Sequence, residues 1–140
     1  MNSLTSPDFI HAILEWPWLW PIARFALVVT FLASGLNKVV NFSGGVAEMA
    51  DSGLPAPAAM AVLSILVELG GSVLVLINRW VWLGAGMLGV FTAIGAVTAH
   101  AFWKKSGPAR KEAIGVFLMH FGLIAAFALD ALLAERLVGH

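Results

Sequence analysis

The chain has 140 residues, enough for one domain, with 60% apolar and only 11% charged residues and a mean hydropathy of +0.91. A soluble domain carries about 25% charge and 45–50% apolar residues, so this composition belongs to a membrane protein. Zero net charge with no arginine-rich run excludes nucleic acid as a partner, and the absence of cysteine excludes disulfides, iron–sulfur ligation and the thiol chemistry of quinone-linked thiol oxidases.

Residues 1–20 contain no Lys or Arg, so the positive n-region of a cleavable signal peptide is missing. Trp16, Trp18 and Trp20 read instead as an interfacial belt, with indole rings at headgroup level. A membrane helix needs roughly 20 mostly apolar residues to cross about 30 Å of hydrocarbon. Four stretches meet that requirement, at about residues 21–40, 57–77, 81–102 and 113–133. The predicted fold is therefore all-α, an integral membrane four-helix bundle forming a single domain over residues 1–140. Pro21 suits a first helical turn, where its missing N–H is no loss. Asn41, Ser43, Gly44 and Gly45 end the first span, and residues 44–52 are too short and polar to cross, so they are expected on the membrane surface as a short helix or loop. Gly53, Pro55 and Pro57 lead into the second span, Asn78-Arg79 closes it, and Lys104 to Pro108 connects the third to the fourth. The third span is rich in small residues (Gly84, Gly86, Gly89, Ala93, Gly95, Ala96, Ala99), which predicts that its glycine face packs in the bundle centre.

Four spans place both termini on one side, here side A, and the connections after spans one and three on side B. Side B carries Lys38, Lys104, Lys105, Arg110 and Lys111, and side A carries Arg24, Arg79 and Arg136. Positive residues favour the cytoplasmic face, so side B is expected in the cytoplasm and the termini outside, across an inner or plasma membrane.

Ionisable residues at membrane depth cost roughly 2.5–3.5 kcal/mol each on insertion and so ought to be paired or functional. At about 1.5 Å rise per residue, Lys38 and His100 lie near side B, Glu68 about 16 Å from it and His120 about 10 Å from it. Lys38, Glu68, His100 and His120 thus form a candidate cluster contributed by all four helices. Glu68, with no cation within a turn, is expected to share a hydrogen bond or a proton with His120, which lies closer in depth than Lys38. Arg24 and Asp130 have matching depths near side A and are expected to form a structural pair. The depth difference of roughly 7–9 Å between His100 and His120 disfavours haem, and no short ligand spacing supports zinc, so no metal is expected.

The chain resembles the DoxX family of small four-helix membrane proteins. The resemblance runs from Arg24 and the following Phe31–Lys38 (FLASGLNK), through Asn41–Pro57 (NFSGGVAEMADSGLPAP) and Glu68 with Gly70-Gly71, to Ala99–Trp103. It implies a four-helix integral membrane protein. It also implies a possible place in membrane redox systems, since family members include a subunit of a thiosulfate:quinone oxidoreductase. Three functions follow as expectations. The first is a subunit or partner of a quinone-linked redox system, in which the polar cluster holds a quinone head group or relays its protons and a redox protein is the partner. The second is a small proton-coupled transporter built on Glu68. The third is a non-catalytic membrane anchor that recruits partners through the basic segment Lys104 to Lys111.

Overall fold

The computed structural model describes residues 7–138. It contains α1 (Asp8–Leu14), α2 (Leu19–Val40), α3 (Phe42–Asp51), α4 (Pro57–Leu76), α5 (Val81–Thr98) and α6 (Gly107–Val138), with one 3-10 turn at Phe102–Lys104 before α6. Four of these helices, α2, α4, α5 and α6, are long and apolar enough to cross a membrane. No strand occurs among the described residues.

The polarity of the bundle is that of a protein dissolved in lipid. Ile22, Phe25, Leu36, Leu63, Leu66, Val90, Leu118 and Leu129 face outward, while Arg24, Lys38, Ser64, Glu68, Ser72, Thr92 and Asp130 are buried. Apolar surface on that scale is a liability in water and costs nothing against hydrocarbon. α4 is central, packing against α2, α3 and α5, and α5 packs in turn against α6. The apolar core (Val28, Phe31, Val75, Ala85, Leu88, Phe127) sits where these helices converge.

Close approach of α4 to α5 depends on glycine. A Cβ on Gly84 would lie 2.7 Å from the Gly71 carbonyl oxygen, and one on Gly71 would lie 2.9 Å from Leu88. The predicted central glycine face is only partly realised. Gly84 packs in this way, but a Cβ on Gly86 or Gly95 would meet nothing within 4 Å. The helical period accounts for Gly86, which points to the side opposite Gly84; Gly95, three turns on, returns to the side of Gly84 but borders an open space rather than a neighbouring helix.

Several element boundaries differ from the expected spans. α1 has no counterpart among the expected elements. α3 begins at Phe42, because Asn41 both ends α2 and caps α3, its Oδ1 accepting a hydrogen bond from the Gly44 N–H at 3.1 Å. The third span stops at Thr98 rather than 102; the chain turns back so that Phe102 and Trp103 stack edge-on against Phe117, with centroids 5.2 and 6.0 Å away. α6 starts six residues before 113, since Arg110, Lys111 and Glu112 are charged but are good helix formers.

At side A, α2 and α6 are joined through side chains. Arg24 Nε donates to Asp130 Oδ1 at 2.9 Å, and Arg24 Nη1 donates to Asn78 Oδ1 at 2.6 Å. The guanidinium also sits 4.7 Å over the Trp20 ring. Asn78 and Trp80 take left-handed backbone conformations in the α4–α5 turn (φ 55° and 50°), which brings this turn under Arg24. Phe31 and Phe127 close the same gap further along, edge to face at 5.5 Å.

Gly84→Val should destabilise the purified protein by about 1–3 kcal/mol through overpacking, and Gly86→Ala should leave it unchanged, both read from thermal unfolding in detergent. Asp130→Asn should cost about 3 kcal/mol by stranding the buried Arg24. Adding Arg24→Gln should cost little more, because contacting partners couple; fully additive losses would contradict the pairing.

Candidate intramembrane site

The second buried ion pair forms at the opposite end. Lys38 Nζ lies 3.3 Å from Glu68 Oε2 and 3.4 Å from Glu48 Oε2, and it donates to Ser34 Oγ at 2.6 Å. Lys38 and Glu68 are 2% and 3% exposed at the side chain, whereas Glu48 is 56% exposed, so the ammonium spans from the bundle interior to its surface. Ser64 Oγ adds a hydrogen bond to Glu68 Oε2 at 3.3 Å.

Glu68 therefore pairs with Lys38, and the expected bond to His120 does not form. His120 Nδ1 instead bonds the Val116 carbonyl one turn back on α6, at 2.7 Å. The depth estimate that disfavoured Lys38 treated side chains as lying level with their Cα atoms. Helical side chains lean toward the helix N-terminus. Lys38 is near the end of α2 and leans into the membrane, while Glu68 on α4 leans back toward side B, so the two meet. Glycine again permits the approach: a Cβ on Gly35 would lie 2.7 Å from Leu69 and 3.3 Å from Glu68 Cβ, and one on Gly45 would lie 3.2 Å from Lys38 Cγ.

His100 and His120 also come together, their ring centroids 5.0 Å apart. The depth difference expected from a straight third span does not hold, because α5 ends at Thr98 and His100 rides on the turn that folds back toward α6. Among the described residues no three His, Asp or Glu side chains converge as metal ligands would.

These groups share one cavity. A space of about 780 Å³ lies between α2, α3, α5 and α6, and its walls include Ser34, Glu48, Glu68, Thr92, His100 and His120. That volume is in the range of small-molecule sites. The remaining wall combines the hydroxyls of Thr30, Ser52 and Thr98 with apolar side chains, among them Phe31, Met49, Phe91, Ile94 and Leu123. Gly95, with no side chain and open space beside it, keeps the α5 wall recessed. A second space of about 530 Å³, almost wholly apolar, adjoins the first through Met49, Leu54, Phe91 and Ile94, and runs between α4 and α5 past Met60, Leu63 and Met87. The pair of spaces thus offers two carboxylates and two imidazoles at one end and hydrocarbon at the other.

Of the residues singled out in the sequence, Lys38 and Glu68 form one contact, His100 and His120 another, and Arg24 and Asp130 a third at the far end of the bundle. Lys38 itself stands behind Ser34, Glu48 and Glu68 rather than in the cavity wall. Sequence reasoning missed Glu48, Ser34 and Asn78. Glu48 had a signal: Gly45, Glu48 and Met49 share one face of α3 at three- and four-residue spacing, and Gly45 and Met49 are buried.

The DoxX family model matches residues 19–101, which span α2 through α5 and the turn carrying His100. The chain is 30% identical over 132 residues to the inner membrane protein YphA of Escherichia coli (strain K12), covering 94% of this chain and 92% of that one. No solved structure matches. A family match over more than half the chain, together with an inner-membrane relative along nearly its whole length, establishes this multi-pass membrane protein as a member of the DoxX family.

Proposed function

We propose that the protein is a quinone-binding subunit of a membrane redox system, with the cavity between α2, α3, α5 and α6 as the head-group site. The observation that carries this reading is the convergence of Glu68, His100 and His120 on one cavity within the bundle that adjoins an almost wholly apolar space. The polar set fits the ligand: an imidazole N–H of His100 suits a quinone carbonyl oxygen, the lone pair of His120 suits a quinol hydroxyl, and the adjoining apolar space suits a hydrocarbon tail. A quinone takes up two electrons and two protons. With Nδ1–H donating to the Val116 carbonyl, neutral His120 has Nε2 as an acceptor, which suits a quinol hydroxyl, and Nε2 donates to a quinone carbonyl only once it has taken up a proton. His100 faces it across the 5.0 Å gap and orients the same oxygen, and Glu68 supplies a site where a proton can be held. Phe31, Phe91 and Leu123 keep bulk water from the apolar side. A redox partner protein would deliver the electrons.

The expected measurement is saturable binding of a short-tailed ubiquinone to the purified protein in detergent, near one per chain. His100→Leu should weaken it about tenfold, the loss of one hydrogen bond to a buried polar group, His120→Leu should weaken binding of the corresponding ubiquinol by a similar factor, and Glu68→Gln, which removes the proton site and not a contact to the oxygen, should weaken either less. Absence of saturable binding by the unmodified protein would remove the quinone reading.

We also propose that side B faces the cytoplasm. Lys38 and Arg24 are engaged in buried ion pairs and so are poor topology signals. Setting them aside leaves Lys104, Lys105, Arg110 and Lys111, all exposed, at side B, against Arg79 and Arg136 at side A. A C-terminal alkaline phosphatase fusion should then be active outside the cytoplasm, and a C-terminal fluorescent protein should be dark; the reverse pattern would invert the orientation.

A further inference from the structure

We infer that Glu48 is the proton entry point of the cavity, passing protons from side B water through Lys38 to Glu68. The arrangement is linear. Glu48 on α3 is 56% exposed, Lys38 on α2 is buried directly behind it at 3.4 Å, and Glu68 on α4 lies on the far side of the same ammonium at 3.3 Å. Each of the two carboxylates lines the cavity, and each has the Lys38 nitrogen as its neighbouring cation. Ser34 fixes that nitrogen at 2.6 Å, and Ser64 fixes the Glu68 carboxylate. Three donors on an ammonium are enough to face Ser34, Glu48 and Glu68 together.

The step balances without any other reactant. A hydronium ion at side B protonates the Glu48 carboxylate. Lys38 gives one of its three protons to Glu68 and takes the Glu48 proton in its place, so Lys38 ends as the ammonium it began as. Glu48 is again a carboxylate, and one proton has moved from water to Glu68. Charge-assisted N–H···O contacts close to about 2.7–2.9 Å, so each gap needs to shorten by roughly half an ångström during transfer. The other titratable groups on the cavity are His100 on the turn after α5 and His120 on α6, and Thr92 on α5 is a buried hydroxyl in the same wall. They form the delivery side of the cavity, and none of them is as open to side B water as Glu48: His100 and His120 are half-buried and Thr92 is buried. The consequence for a redox site is directional. Protons consumed in the cavity are drawn from side B, the side opposite the Arg24–Asp130 clamp.

The use of this path by a quinone depends on the preceding reading, but the path itself is measured with no quinone present. The experiment is a light-triggered proton jump on the purified full-length protein in nanodiscs, followed by time-resolved infrared detection of carboxyl protonation. The Glu68 band is identified by its disappearance in Glu68→Gln. Glu48→Gln should slow the rise of that band at least tenfold while its final amplitude at saturating acid is kept, and Glu48→Asp should restore most of the rate. Glu48 is a surface side chain, and an unchanged thermal unfolding midpoint in Glu48→Gln verifies that the fold is intact. An unchanged rise time in Glu48→Gln would overturn the proposal, since protons would then reach Glu68 by the His100 side. So would a Glu68 band that fails to respond to the jump in the unmodified protein.

Discussion

The side B end of this bundle hangs on the pairing of Lys38 with Glu68. A carboxylate inside hydrocarbon must be neutralised or compensated, and the cost of leaving it bare is large against the few kcal/mol that stabilise a small membrane protein. The sequence meets this requirement with a long, flexible cation from a neighbouring helix. Glycines at 35 and 45 let α2, α3 and α4 approach closely enough for its stem to be enclosed. The same ammonium is then a shared counter-charge for Glu48, which ties the short helix α3 to the two spans beneath it. Removing Lys38 would strand one carboxylate in the interior and release the other.

The two ends of the bundle are built differently because their charges do different things. At side A, Arg24 holds Asp130 and Asn78 at once beneath the Trp20 ring, and further along Phe31 stacks edge to face on Phe127 and Phe91. A planar guanidinium that holds one oxygen of each of two partners suits a fixed joint. Toward side B, α2 and α6 do not close on each other, and the space between them becomes the cavity that collects Glu68, His100 and His120. A lysine there, with rotatable donors and three oxygen-bearing neighbours, suits a site where a proton or a charge is to move.

Much of this was legible in the sequence, and the exceptions have physical causes. Four apolar runs gave the helices because length and hydropathy suffice for spans. Arg24 and Asp130 could be matched by depth because both side chains emerge near the same membrane face. The partner of Glu68 was not legible by the same arithmetic, since side-chain lean moves Lys38 and Glu68 toward each other by more than the estimate allowed. Nor was the meeting of His100 with His120, which depends on α5 stopping at Thr98. No glycine or proline marks that stop; it is set by Phe102 and Trp103 packing on Phe117, a contact distant in sequence. Glu48 sat in a segment too polar to span, and only the helical period of α3 connects it to the buried face.

The length of α6 has a mechanical consequence. Its 32 residues make a rod about 48 Å long, against about 30 Å of hydrocarbon. Residues 113–133 account for the hydrocarbon thickness, so the six residues before them continue the helix for about 9 Å into the headgroup layer at side B. Arg110 and Lys111 are therefore carried on a stiff post rather than a pliant loop. Whatever anionic surface meets them, lipid phosphate or protein, is held at a set height above the mouth of the bundle.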